Sequence, residues 1–154
     1  MKNTKVVATI LYIDDDQELA DSYAHALERS GYRVRRAADG EEGLSLARRE
    51  PPDVILLDWM MPGKNGFETC VELRQTPSLC NIPIVVLTSF GKNIHYIHTP
   101  GGPAAALQIQ DCLEKPVEIN ILLSRLETIL TVARPCDSGR PSREPTCLNL
   151  FPDG

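Results

Sequence analysis

Val6-Val7-Ala8-Thr9-Ile10-Leu11-Tyr12-Ile13 is a nearly continuous apolar run, rich in β-branched residues, and it ends abruptly in Asp14-Asp15-Asp16. Such a run offers no polar face to water. It is the pattern of a strand covered on both sides, as strands of parallel sheets are. Two further stretches repeat it. Val54-Ile55-Leu56-Leu57 runs into Asp58, and Ile82-Pro83-Ile84-Val85-Val86-Leu87 runs into Thr88-Ser89.

The intervening segments read as helices and turns. Leu19, Tyr23, Ala26 and Leu27 recur at helical spacing, and Gly31 offers a stop. Tyr32 to Ala37 is a short second strand. Glu41 to Arg49 is helical until Pro51-Pro52 breaks it, and Phe67 to Gln75 is helix-compatible after the turn chemistry of Pro62-Gly63-Lys64-Asn65-Gly66. Ile119, Leu122, Leu123, Leu126, Ile129 and Leu130 form an amphipathic helix. Between Phe90 and Gln110 stand Gly91, Pro100, Gly101, Gly102 and Pro103, so a helix fits there only in parts. A fifth strand is expected over Ala106 to Leu113, ahead of Glu114-Lys115-Pro116. Strands alternating with helices predict an open, doubly wound, five-stranded parallel α/β sheet, irregular around the fourth helix. Ligands of such sheets bind beyond the carboxyl ends of the strands.

The 154 residues suggest one domain, with 42% apolar and 24% charged residues. A net charge of −5 argues against direct binding to nucleic acid, which calls for clustered Lys and Arg. No apolar run approaches the ~20 residues of a membrane span, and the N-terminal residues lack the features of a signal peptide. Five cysteines without a CxxC pair indicate neither a disulfide framework nor a zinc site. A cytoplasmic location is therefore expected. From Pro135 onward prolines, glycines and scattered charges predominate, which predicts a domain over 5–134 and a disordered tail over 135–154. Leu148, Leu150 and Phe151 would make either a short docking element or part of a floppy terminus.

The strand ends carry the chemistry. A parallel sheet brings Asp14, Asp15, Asp58, Thr88 and Lys115 to one edge. Crowded carboxylates repel unless a cation joins them. A hard divalent ion such as Mg²⁺ takes oxygen ligands and keeps several waters, so a few carboxylates and a backbone carbonyl suffice. Such a site attracts phosphate oxygens. Lys115 adds a positive charge, the Thr88 hydroxyl can donate, and a carboxylate placed in line is a nucleophile.

Ile10-Leu11-Tyr12-Ile13-Asp14-Asp15-Asp16, Leu57-Asp58-Trp59-Met60-Met61-Pro62-Gly63-Lys64-Asn65-Gly66, Leu87-Thr88-Ser89 and Glu114-Lys115-Pro116 together resemble the four signatures of bacterial two-component response-regulator receiver domains, over roughly Lys5 to Arg134. The resemblance implies a flavodoxin-like fold and phosphotransfer from a histidine kinase or phosphotransfer protein. It implies that Asp58 is the phosphoacceptor. Asp15, Asp58 and the Met60 backbone carbonyl would ligate Mg²⁺ (or Mn²⁺), with Asp14 helping through water. Thr88 would close on the phosphoryl group, Lys115 would pair with one of its oxygens, and the Lys115–Pro116 bond would be cis. The domain would be a self-phosphorylating phosphoacceptor rather than a turnover enzyme.

Plainer readings stand beside these. An Asp-rich strand end can cap the next helix, as Asp16 is expected to do. Asp58 before Met-Pro-Gly can be an ordinary turn, and a lone Lys is usually solvated. Trp59 is expected to be partly exposed, and His25, His95 and His98 receive no role. The chain also departs from the family. The segment between Thr88 and Lys115 is longer and lacks the usual turn, and Cys112 stands where receivers often carry a switching aromatic. That puts the switch, and a dimer through the fourth and fifth helical face, in doubt, and the oligomeric state is left open. Met60 and Phe90 flank the route of water to the acyl phosphate, and apolar side chains cannot orient water, so slow self-dephosphorylation is expected. The twenty tail residues are not expected to hold an output module such as a helix-turn-helix, so a downstream protein partner or onward relay of phosphate is expected if the chain is complete. One alternative is a degenerate receiver acting as a phosphorylation-independent interaction module. Another takes Asp14-Asp15-Asp16 as the nucleophile loop of a haloacid-dehalogenase-like phosphatase, although Gln17-Glu18 fit it poorly.

Overall fold

A computed structural model describes residues 7–61, 63–89, 97 and 99–133, with side chains to 131. The elements are β1 (Thr9–Ile13), α1 (Gln17–Arg29), β2 (Arg33–Ala37), α2 (Gly40–Arg49), β3 (Val54–Asp58), α3 (Gly66–Gln75), β4 (Ile84–Thr88), α4 (Pro103–Ala106), β5 (Asp111–Glu114) and α5 (Ile119–Ala133). The five strands pair in the order β2-β1-β3-β4-β5, and every pairing is parallel. The doubly wound parallel sheet expected from the apolar runs is present, in the flavodoxin-like arrangement that the resemblance implies.

Period-two alternation divides the core into two layers. Leu11, Ile13, Ile55, Leu57 and Val86 face α2 and α3, meeting Leu44, Ala47, Cys70 and Leu73. Ile10, Tyr12, Leu56, Val85 and Leu87 face α1 and α5, meeting Leu27, Leu122 and Leu126. Every residue of β3 and β4 is buried. Each such aliphatic side chain contributes on the order of 1.5–3 kcal/mol. This two-sided cover is why the runs carry no polar alternation.

The helices start where the sequence supplies a cap. Asp16, Asp39 and Asn65 each accept the N–H three residues on, at 3.1, 2.8 and 2.9 Å. Asp16 is thus the expected cap. Gly31 ends α1 at φ 100°, a conformation that favours glycine.

Two expectations need correction. The fifth strand does not begin near Ala106. Pro103–Ala106 is a single helical turn, and the strand starts at Asp111. The carbonyls of Leu107 and Gln108 are engaged by the guanidinium of Arg74 at 2.7 and 3.0 Å, and Gln108 lies at φ 54°, so this backbone cannot extend along β4. Trp59 is not partly exposed. Strand alternation carries it into the α2–α3 layer, where it meets Phe67 edge-on with ring centroids 6.1 Å apart. Phe90, His95, His98 and the tail after Ala133 lie outside the described residues.

Candidate functional site

The register brings the strand ends to one edge. Asp58 stands opposite Leu87, Thr88 opposite Glu114, and Ile13 opposite Leu57, so Asp14 emerges beside Asp58. Asp14, Asp58, Thr88 and Lys115 are all buried, whereas Asp15 is exposed. One oxygen from each of Asp14, Asp15 and Asp58 lies within 4.8 Å of the other two.

Lys115 enters this cluster from the end of β5. Its backbone N–H donates to the Thr88 carbonyl at 2.7 Å, which ties it to the end of β4. Its ammonium donates to Asp14 Oδ2 at 2.5 Å and lies 3.6 Å from Asp58 Oδ1. Lys115–Pro116 is cis, as expected. The N–H of Val117 donates to Tyr23 Oη at 2.8 Å, holding the chain beyond that bond against α1.

Asp14 is held by three donors. Its Oδ1 accepts the Asp16 N–H at 2.9 Å, and its Oδ2 accepts the Tyr12 hydroxyl at 3.0 Å in addition to Lys115. Burial, followed by the charge of Asp14, pushes the Tyr12 phenol far up, so it stays a donor. Asp58 is held more loosely. It accepts the Met60 N–H at 3.3 Å, and the Met60 side chain points to solvent, half exposed. Burial and then the charge of Asp14 push the Asp58 carboxyl up to about 7, with Lys115 and the Met60 N–H opposing them.

The β3–α3 turn is fixed by close packing. A Cβ on Gly66 would lie 2.6 Å from Trp59 Cα and 2.7 Å from the Asp58 carbonyl oxygen. Only glycine lets α3 start this near Asp58. Lys64 pairs with Glu41, at 2.6 Å, and with Glu72, clamping the turn between α2 and α3.

The structure therefore gathers Asp14, Asp15, Asp58 and Lys115, with Thr88 at the same edge and Met60 beside Asp58. His25 is exposed on α1, and nothing links it to this edge. Two residues escaped the sequence reading. Tyr12 looked like one more apolar member of its run, although a hydroxyl in a buried strand needs a partner. Arg74 lies unmarked inside the helix-compatible stretch Phe67 to Gln75.

A family model for the response regulator receiver domain matches residues 10–127. The chain belongs to this family. It is 38% identical over 122 residues to the transcriptional regulatory protein AfsQ1 of Streptomyces coelicolor, covering 79% of the present chain and 51% of that protein. It is 35% identical over 144 residues to the response regulator MprA of Mycolicibacterium vanbaalenii, covering 94% and 59%. The chain thus spans little more than half the length of these relatives. Among solved structures, the chemotaxis protein CheY4 of Vibrio cholerae superposes with a TM-score of 0.70 at 31% identity, covering 79% of this chain and 98% of that one. The Francisella response regulator 1452 receiver domain superposes with a TM-score of 0.70 at 27% identity, covering 82% and 99%. Receiver domains act in two-component signalling as phosphoacceptors, and the phosphatase reading of Asp14-Asp15-Asp16 falls away. No helix among the described residues is long and apolar enough to cross a membrane.

Proposed function

We propose that Asp58 accepts a phosphoryl group from a histidine kinase or phosphotransfer protein, with Mg²⁺ or Mn²⁺ held by Asp15, Asp58 and the Met60 carbonyl and assisted by Asp14. The observation that carries this reading is the meeting of three carboxylates and one ammonium, two of those carboxylates and the ammonium buried, at the end of β3. The donor set fits a hard divalent ion, since all three side chains offer oxygen and their oxygens lie close enough to share one cation. Such a cation would neutralise the crowded carboxylates and the oxygens of the incoming phosphoryl group. The chain's own residues do the rest. An Asp58 oxygen attacks phosphorus, and the donor's P–N bond breaks with its electron pair left on the imidazole. Lys115 pairs with a phosphoryl oxygen. Thr88, buried at the end of β4, supplies a hydroxyl to the same group. Positioning and charge stabilisation are most of what phosphoryl transfer requires.

The product is an acyl phosphate held by a single-turnover acceptor in the cytoplasm, read out by a downstream protein over the domain 5–134. Incubation with acetyl phosphate and Mg²⁺ tests the assignment. Intact mass spectrometry is expected to show one added phosphoryl group, which peptide mapping places on Asp58. Asp58→Asn and chelation by EDTA both remove it. No uptake by the wild-type chain would favour the phosphorylation-independent interaction module. The half-exposed Met60 side chain offers no group to orient water, so the label is expected to outlast seconds without a phosphatase.

A further inference from the structure

Tyr12 does more than fill the core. Its ring lies in the α1–α5 layer, 1% exposed and stacked on Tyr23 with centroids 6.3 Å apart. Its hydroxyl reaches the acidic cluster and donates to Asp14 Oδ2 at 3.0 Å. That oxygen has a second donor, the Lys115 ammonium at 2.5 Å, while Oδ1 is taken by the Asp16 N–H. The two donors on Oδ2 come from different elements. Tyr12 is built into the sheet on β1, and Lys115 rides on the end of β5.

Lys115 has two claims on it. It bonds Asp14, and it stands 3.6 Å from Asp58, where a phosphoryl oxygen would draw it. Each movement of Lys115 toward Asp58 would leave Asp14 Oδ2 without a donor if Tyr12 were absent. A buried carboxylate oxygen that loses its donor reorients to find another. With Tyr12 present, Asp14 keeps its orientation whichever partner Lys115 serves.

We propose that Tyr12 is a positioning residue for the cation site, holding the Asp14 carboxylate in place so that Lys115 is free to move between Asp14 and Asp58. This rests on the reading that Asp14, Asp15 and Asp58 hold a divalent cation. Hydrogen-bond partners of a metal's carboxylates typically set affinity by about 10–100-fold. Asp14 assists rather than leads, so the lower end of that range is expected.

The test is calorimetric titration of the metal-free chain with MgCl₂, set beside thermal melting. Tyr12→Phe keeps the ring and its stack and removes only the hydroxyl. It is expected to bind Mg²⁺ about tenfold more weakly. Phosphoryl uptake from acetyl phosphate is expected to need correspondingly more Mg²⁺, yet to reach a rate within about twofold of wild type at saturation, since a loss of binding alone leaves the maximal rate in place. Tyr23→Phe is the control. Its hydroxyl meets the Val117 N–H and not the acidic cluster, so it should lower the melting temperature and leave Mg²⁺ affinity unchanged. Should Tyr12→Phe fail to fold, Tyr12→Leu replaces it with the same expectation. Wild-type Mg²⁺ affinity in a folded Tyr12 variant overturns the inference, as does equal weakening in the Tyr12 and Tyr23 variants in step with their melting temperatures. A wild-type chain that binds no Mg²⁺ overturns the cation site itself, a result distinct from both.

Discussion

Two cations among the described residues are buried, at opposite ends of the sheet, and their surroundings differ in kind. Lys115 lies at the carboxyl edge among carboxylates, 2.5 Å from Asp14 and 3.6 Å from Asp58. Arg74 lies at the amino edge, 1% exposed, and meets backbone carbonyls instead. It donates to Leu107 at 2.7 Å, to Cys80 at 3.0 Å, to Ile82 at 2.8 Å and to Gln108 at 3.0 Å. No carboxylate among the described residues pairs with it. Burial pushes its pKa down. Arg74 is satisfied by neutral groups in a rigid fork, which suits a structural clamp. The carboxyl edge is left in conflict, with more negative charge than one ammonium balances. The difference teaches where each end spends its polar groups. One end stitches the loops before β4 and β5 to α3, and the other keeps an imbalance that a cation and a phosphoryl group can resolve.

The largest effect expected from breaking this comparison is at the clamp. Arg74→Met strips donors from four carbonyls at once. Unsatisfied buried acceptors cost roughly 1–3 kcal/mol each before relaxation, so a net loss of about 3–5 kcal/mol is expected in denaturant unfolding. The Mg²⁺ affinity of the molecules that remain folded should hold. A loss below about 1 kcal/mol would show that the loop before β5 does not depend on the guanidinium.

Lys115→Met exchanges the effects. Removing one preorganised charge from a transferring group slows reaction on the order of 10²–10³-fold. Phosphoryl uptake from acetyl phosphate at saturating Mg²⁺ should fall to that extent, while Asp58 remains the labelled residue. An unchanged rate would reduce Lys115 to a partner of Asp14 alone.

The third effect concerns pH. The native Asp58 carboxyl stands at about 7 without a cation, against 3.8 ordinarily. The native state then binds the proton more tightly than the unfolded chain does. Stability from this group is fully present below pH ~4 and is lost as pH rises through ~7, a decline on the order of 2–4 kcal/mol. In EDTA, wild-type stability should fall over that interval, and Asp58→Asn should flatten the profile and be the more stable protein at pH 8. Mg²⁺ should restore the wild type. A flat wild-type profile in EDTA would mean that the carboxyl edge carries no such conflict.

The sheet and its charged edge were legible because both rest on short-range patterns. Short apolar runs that lack alternation and are rich in β-branched residues read as interior parallel strands, and the carboxyl ends of such strands converge, so Asp14, Asp58 and Thr88 could be placed together from the chain alone, with Lys115 following from the alternation of strands and helices. The course of 99–110 was not legible. Its backbone is organised by Arg74, 33 residues before Leu107, and no local signal announces that a helix-terminal arginine will turn inward. Trp59 was misplaced because a residue just past a strand end still follows strand alternation. Tyr12 was hidden for a related reason. Apolarity assigns it to the core correctly, but only the fold shows that its hydroxyl ends beside Asp14.

The account's central claim is that one divalent cation is shared by the carboxylates at the ends of β1 and β3. Anomalous diffraction from crystals soaked in Mn²⁺ tests it most directly. A single peak is predicted within direct coordination distance of the Asp15 and Asp58 oxygens, with the Lys115 ammonium facing it from across Asp58. No peak there at saturating Mn²⁺, or an Asp58 carboxylate turned away from Asp14 and Asp15, would contradict it.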